Sequence, residues 1–478
     1  MSKYEVTIGI EVHVELKTKS KLFSDSAVSF GLNTNCGVNV IDLGYPGTLP
    51  TVNKEVVRQG VKAAHILHCN ITKEMHFDRK NYFYPDNSKN YQITQNETPI
   101  GTNGYVEIEV DGEKKKIFLE EMHIEEDTCK SAHRGTVSLL DFNRSGVPLI
   151  EIVTKPCIKS SKEAMAYLEK LKELLFYADI SDCKMEEGSM RCDANVSLSN
   201  SDELGVKCEI KNIGSIHNVG LSIEKEIERQ KELLEKGEKI REETRRFDDK
   251  LGTTVLMRVK ETGNDYRYFP EPDIPFVRLD DTFISDAIKE IPLLPDELRK
   301  KYQQVGLSHQ QIEKIIANRP LSNYFNLLLD QKTNHVLAAN LLLGDIAAYL
   351  NKHNKELQDT KLDQDRLIEV VAKLDEGVIS NRNFKEILVD LLETSTSIDE
   401  ILKSKNITNV TDEATILNII NKVLENNHDS VKDYKAGKDR ALKYLMGQFM
   451  KETKGSVNPK LANDLLIQEL DKLELKDE

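Results

Sequence analysis

The sequence predicts an α+β protein whose β-patterned N-terminal region, with flanking helices, gives way to an all-α C-terminal region. Three observations carry this. Ile8 to Leu16 alternates strictly between apolar and other residues, the period of a strand. Gly104 to Leu119 alternates on both sides of Asp111-Gly112, a hairpin-turn pair. Beyond Ile291-Pro292-Leu293-Leu294-Pro295 β patterning almost ceases, and leucine-rich helical periods follow at Leu298 to Val305, Asn334 to Leu350 and Leu362 to Leu374. A chain of 478 residues exceeds one core, and a boundary at 292/293 with a softer one near Asn406 to Thr411 divides it into 1–292, 293–408 and 409–478.

In the first strand Ile8, Ile10, Val12, Val14 and Leu16 point one way, while Glu11, His13 and Glu15 point the other, about 6 to 7 Å apart. Two carboxylates flanking an imidazole suit magnesium or manganese better than a structural zinc; a solvated edge strand is the alternative. A helix follows over Lys54 to His68. Phe77 to Asn87 then packs Tyr82, Phe83 and Tyr84 among Arg79, Lys80 and amides, a mixture that can stack a base and hold phosphates, or a loop whose aromatics plug the core. The hairpin delivers the chain into Glu121-Met122-His123-Ile124-Glu125-Glu126-Asp127. So many acids repel one another unless a cation joins them or water solvates them.

Glu151 stands in an otherwise apolar strand, so it needs an exposed face or a strong partner. Ser160-Ser161-Lys162-Glu163 is a capping box opening a helix to Tyr177. Gly188-Ser189 offers open backbone amides, and Arg191, Asp193 and Asn195 share one strand face, suiting a phosphate or ribose hydroxyl, or an internal Arg191/Asp193 ion pair. After Lys207 to Asn212 comes a helix over Ser222 to Lys236, closed by Gly237. Met257 to Glu261 leads to Asp265 to Pro275, a second aromatic and cationic cluster stiffened by three prolines.

Composition narrows the function. A net charge of −14 argues against general nucleic-acid binding and asks any RNA contact to be local. One local field exists: Lys432, Lys435, Lys438, Arg440, Lys443, Lys451 and Lys454 surround the helical stripe Leu442, Leu445, Met446, Phe449 and Met450. Seven scattered cysteines without a CxxC point to reduced thiols in a cytoplasm. No apolar run approaches the roughly 20 residues of a membrane span, and Met1 to Glu5 runs into a strand without a signal peptide, so no membrane association is expected.

These blocks, in this order, resemble the B subunits of the aspartyl/glutamyl-tRNA amidotransferase family. The likeness runs through Ile8 to Leu16, Asp78 to Gln95, His123 to Lys130, Asp141 to Val153, Met185 to Val196, Glu243 to Asp248 and Leu256 to Ile274. It implies a catalytic cradle on an antiparallel sheet over 1–292, then a helical domain and a helical tail that touches tRNA. The implied activity is phosphorylation by ATP and magnesium (manganese possible) of the side-chain carboxylate of Glu-tRNA(Gln) or Asp-tRNA(Asn). Ammonia from an amidase A subunit then displaces phosphate, in a cytoplasmic heterotrimer with a small C subunit. No glutaminase signature is present, consistent with ammonia arriving from a partner.

The resemblance places the metal on His13, Glu125 and Glu151, with Glu11 and Glu126 as outer or alternative ligands. Glu125, Glu126, Glu151, Arg79 and Lys80 form the expected catalytic set. Arg79, Lys80, Ser189 and Arg191 are the expected nucleotide contacts; Asp193 with Glu209 could hold a second metal or guide ammonia. Lys435, Lys438, Arg440 and Lys443 are expected on the tRNA. Two departures stand out. Asn39 and Asp42 replace a zinc-holding cysteine pair of some members, so no zinc is expected, and Cys129 replaces a usual glycine. A silent tRNA scaffold is the competing reading; a kinase for a free amino acid is disfavoured by the basic tail.

Overall fold

The computed structural model describes residues 4–28, 31–201, 203–259, 265–405, 407, 413–453, 457 and 459–473. The expected soft boundary near Asn406 to Thr411, apart from Ile407, lies outside them, as do Lys260, Glu261 and Lys454. Two compact units divide at Pro295/Asp296. No helix among the described residues is long and apolar enough to cross a membrane.

The first unit is built on a ten-stranded sheet. Its strands in chain order include β1 (Glu5–Glu15), β4 (Tyr105–Val110), β5 (Glu113–Glu126), β6 (Pro148–Thr154), β7 (Met190–Ser199), β8 (Cys208–Lys211), β9 (Glu243–Asp248) and β10 (Thr253–Val259), while β2 (Asp78–Asn81), β3 (Tyr91–Thr94) and β11 (Phe269–Pro270) form a separate small sheet. The order in space is β10-β9-β8-β7-β1-β6-β5, continued by short strands at Gly101–Thr102 and Asn70–Ile71, with β4 paired to β5. All pairs are antiparallel except β8 with β9, so the sheet is mixed. The connection responsible is a long helix, the kind of crossover a parallel pair requires.

The alternation of β1 decides the layering. Ile8, Ile10, Val12, Val14 and Leu16 are buried on one face with Ile150, Ile152, Met122, Ile124 and Ala194 from its neighbours, and α1 (Lys54–Ile66), α2 (Ser161–Tyr177) and α3 (Ile216–Glu235) contribute to that core. Burying each such aliphatic side chain contributes about 1.5–3 kcal/mol. The opposite face of β1 carries Glu11, His13 and Glu15. Asp111 and Gly112 both have positive φ, +53° and +85°, the geometry of a two-residue hairpin turn, and they join β4 to β5.

Local signals hold with adjustments. Ser160 caps α2 by accepting from the Glu163 amide, but the Glu163 carboxylate reaches the Lys159 amide and Lys115 rather than completing the box on Ser160. Helix α3 begins at Ile216, capped by Ser215, six residues before the expected Ser222, and Gly237 follows it at φ +74°. Phe83 and Tyr84 do not plug the core; they are 85% and 51% exposed.

Among its described residues the second unit has helices as its only regular elements, ending with Glu413–Glu425, His428–Lys435, Asp439–Glu452 and Pro459–Lys472 around Ile416, Ile420, Leu445, Phe449 and Leu466. Arg440 and Lys443 are exposed. Lys438 pairs with Asp433 at 2.7 Å, and Lys435 donates to the Asp471 carbonyl at 3.3 Å.

Candidate functional site

The functional side chains stand on the polar face of the large sheet, and the register brings them together. Opposite His13 on β1 lies Glu151 on β6; opposite Glu151 lies His123 on β5; on the other side of β1, His13 faces Arg191 on β7. One rung therefore reads Arg191, His13, Glu151, His123. Glu125 follows two positions after His123, hence on the same face. His13 Nε2 is 3.4 Å from Glu125 Oε1 and 3.5 Å from Glu151 Oε2, and His123 Nε2 is 3.0 Å from Glu151 Oε2. One donor atom each from His13, Glu125 and Glu151 lie within 4.8 Å of one another, a spacing fit for one cation.

Burial makes these charges consequential. Glu125 is buried and Glu151 half-buried. Burial works against the Glu151 charge, yet His13, His123 and Lys80 hold its carboxyl well below the usual carboxylate range. Burial likewise opposes charge on His123, but Glu151 and Glu121 outweigh it and carry the imidazole up to about 10. Residue His123 stood in the acidic motif but was not among the expected ligands. Its position two residues from Glu125 was the available signal.

Lys80, on β2, feels the charge of the same carboxylates. Burial opposes its charge, while Glu125, Tyr268 and Glu151 raise it above an ordinary lysine. Among the described residues its ammonium makes no hydrogen bond or ion pair; it lies 5.1 Å from the centre of the Tyr266 ring. Arg79 points elsewhere: Nε and Nη2 bind Glu271 in a fork at 2.6 and 2.7 Å, and the guanidinium lies 4.2 Å from the centre of the Tyr91 ring. The second aromatic segment thus touches the first, since Phe269 pairs with Arg79 and Asn81 donates to the Arg267 carbonyl.

Three other expectations are redistributed. Glu126, one position from Glu125, faces the other side of β5, where it accepts from Lys89 and from the Ile93 amide, so the structure does not bring it to the cluster. Glu11 joins Asp193 and Glu209 in a second acidic group. There Lys211 Nζ sits 2.7 Å from Asp193 and 2.9 Å from Glu209, while Asn195 donates to Glu11. The suspected Arg191/Asp193 pair does not form, because Arg191 binds Asp127 at 2.7 Å. Ser189 accepts from the Lys184 amide and closes the Lys184 to Ser189 turn, with Gly188 at φ +82°. On β1, burial and the Asp127 charge push Glu15 up to about 7.

The two departures have local accounts. Asp42 accepts from Lys21, Ser24, Ser26 and the Asn39 amide, a hub that ties its loop together with hydrogen bonds. Cys129 is buried and does not have positive φ, so its backbone is one any residue adopts; burial pushes its thiol up to about 11.

Residues 6–285 match the GatB/GatE catalytic domain, and residues 323–470 match the GatB domain. The chain is 48% identical over 472 residues to the B subunit of an aspartyl/glutamyl-tRNA(Asn/Gln) amidotransferase from Lysinibacillus sphaericus, covering 98% of this chain and 99% of that one. Proteins of the same description from Geobacillus thermodenitrificans and Staphylococcus aureus are likewise 48% identical, over 473 and 472 residues, with the same coverage.

Proposed function

Because this chain belongs to the aspartyl/glutamyl-tRNA(Asn/Gln) amidotransferase B-subunit family, we propose that its N-terminal unit phosphorylates the acyl side chain and exchanges phosphate for ammonia. The enzyme is a multi-subunit carbon–nitrogen ligase with glutamine as donor, which converts misacylated Glu-tRNA(Gln) or Asp-tRNA(Asn) to the amidated form. In the finer reading an amidase A subunit supplies ammonia, a small C subunit completes a heterotrimer, and ATP is the phosphoryl donor. The observation that carries the reading is the His13, Glu125 and Glu151 cluster, with Lys80 beside it.

A carboxylate resists ammonia because oxide would have to leave; a phosphorylated carboxylate offers phosphate instead. The donor set fits magnesium: two carboxylate oxygens and one imidazole nitrogen converge, and no lysine or arginine forms an ion pair with Glu125 or Glu151 among the described residues. When bound, magnesium would neutralise the crowded phosphate and carboxylate oxygens. His13, Glu125 and Glu151 would hold it, and His123 orients Glu151 from behind. Lys80 directs a positive charge toward the phosphates. Arg79, fastened to Glu271, stiffens β2 and so keeps Lys80 in place. Ser189 contributes at the turn beside Arg191. Beyond the catalytic cradle at 1–292 come a helical domain at 293–408 and a tail at 409–478, and it is the tail that presents Lys435, Lys438, Arg440 and Lys443 to the tRNA backbone.

The test is ATP-dependent phosphate formation on Glu-tRNA(Gln) by the assembled complex supplied with ammonium. His13→Ala and Glu125→Ala should abolish it while tRNA binding persists. Undiminished phosphate formation in both variants would leave this chain as a tRNA scaffold.

A further inference from the structure

Arg191 sits on the same rung as His13 and Glu151, yet its partner is Asp127, a buried acid just beyond β5. Asp127 Oδ2 receives Arg191 Nη2 at 2.7 Å and lies 3.3 Å from Arg144 Nε, while Asp127 Oδ1 accepts from the Thr128 amide at 2.8 Å. Arg144 is pinned further by the carbonyls of Thr128 and Cys129, at 3.0 and 3.1 Å. One carboxylate thus gathers two guanidiniums beside the cluster. Arg191 is 38% exposed at its side chain, and among the described residues only one Nη2–H has a protein acceptor, so the other Nη2–H, together with the N–H beside it on Nε or Nη1, remains as a parallel pair of donors.

We propose that Arg191, positioned by Asp127 and Arg144, recognises the side-chain carboxylate of the misacylated tRNA and so separates substrate from amidated product. The proposal rests on the carboxylate-phosphorylation reading for its place in the reaction. A guanidinium fork matches a planar carboxylate, whereas Lys80, a compact point charge approaching from β2, suits phosphate. Amidation replaces an acceptor oxygen by an NH2 donor and removes the negative charge. The product then sets donor against donor at Arg191, and the same contact that selects the acid releases the amide. Asp127 never meets the substrate in this scheme; it is a positioning residue, holding Arg191 across the face of the sheet.

The test measures equilibrium binding of Glu-tRNA(Gln), Gln-tRNA(Gln) and uncharged tRNA(Gln) to the assembled complex without ATP. Wild type should prefer Glu-tRNA over Gln-tRNA by about tenfold, the scale of one charge-assisted contact. Arg191→Gln should bind both alike and bind uncharged tRNA as wild type does, which also reports an intact fold. Arg191→Lys should keep part of the preference, and Asp127→Asn should weaken it, raising KM for Glu-tRNA more than it lowers kcat while KM for ATP stays level. A preference that survives in Arg191→Gln, or a rise in KM confined to ATP, overturns the proposal. Because the binding arm needs no chemistry, it stands apart from the phosphate-formation test, which alone decides whether the kinase reading fails.

Discussion

Two acidic groups share the polar face of one sheet, and they solve the same problem in opposite ways. Glu11, Asp193 and Glu209 are neutralised from within, by Lys211 at 2.7 and 2.9 Å from two of them. Burial opposes the Lys211 charge, but Asp193 and Glu209 hold it well above an ordinary lysine. His13, Glu125 and Glu151 have two imidazoles and the more distant Lys80 instead. An ammonium tethered by its own backbone is always present, so it makes a permanent structural element. A cluster lacking one at hydrogen-bonding distance can accept a diffusible cation and a phosphate together, which is what a phosphoryl-transfer site requires.

The largest break in this comparison should come from the first cluster. Glu151→Gln is expected to lower kcat for phosphate formation by on the order of 10^3, a loss far larger than the accompanying fall in thermal stability, which arises because the buried His123 imidazole loses its nearest carboxylate. An equal fall in Tm and in activity would instead make Glu151 a structural residue. Lys211→Met attacks the second cluster from the other side. Leaving Glu11, Asp193 and Glu209 without their cation should cost about 2 kcal/mol of stability, read as a lower Tm that added magnesium partly restores. An unchanged Tm would show that the tethered ammonium is dispensable.

Glu271→Gln sharpens the comparison by loosening the wall that carries Lys80. The Arg79 fork would lose its charged partner, and kcat should fall about tenfold, near 1.4 kcal/mol of transition-state stabilisation. Single-turnover phosphate formation would check it; a change confined to tRNA affinity would not fit. The smallest effect belongs to Glu11→Gln. If Glu11 serves the lysine-filled group, kcat should change less than about threefold, roughly 0.6 kcal/mol, whereas a ligand of the reacting centre would lose far more.

Much of this is legible in the order of residues alone. The period of two in Ile8 to Leu16 separates the core face from the polar face, Asp111-Gly112 makes the hairpin it promises, and Ser160 caps the helix it precedes. The same period of two placed His123 beside Glu125 and turned Glu126 away, a signal present in the motif and outweighed there by simple proximity in sequence. Lys211 as the cation of the second group, Glu271 as the partner of Arg79 and Asp127 as the partner of Arg191 had no comparable local mark, since each joins strands far apart in the chain.

The sequence by itself determined which faces are apolar, where β patterning ends and, through its long motifs, the family, because these depend on residue order and neighbours a few positions apart. Only the tertiary structure decided which charges meet. That depends on strand order and register: β1 lies between β6 and β7, so His13 faces Glu151 on one side and Arg191 on the other, and a shift by one residue would turn each of them to the opposite face.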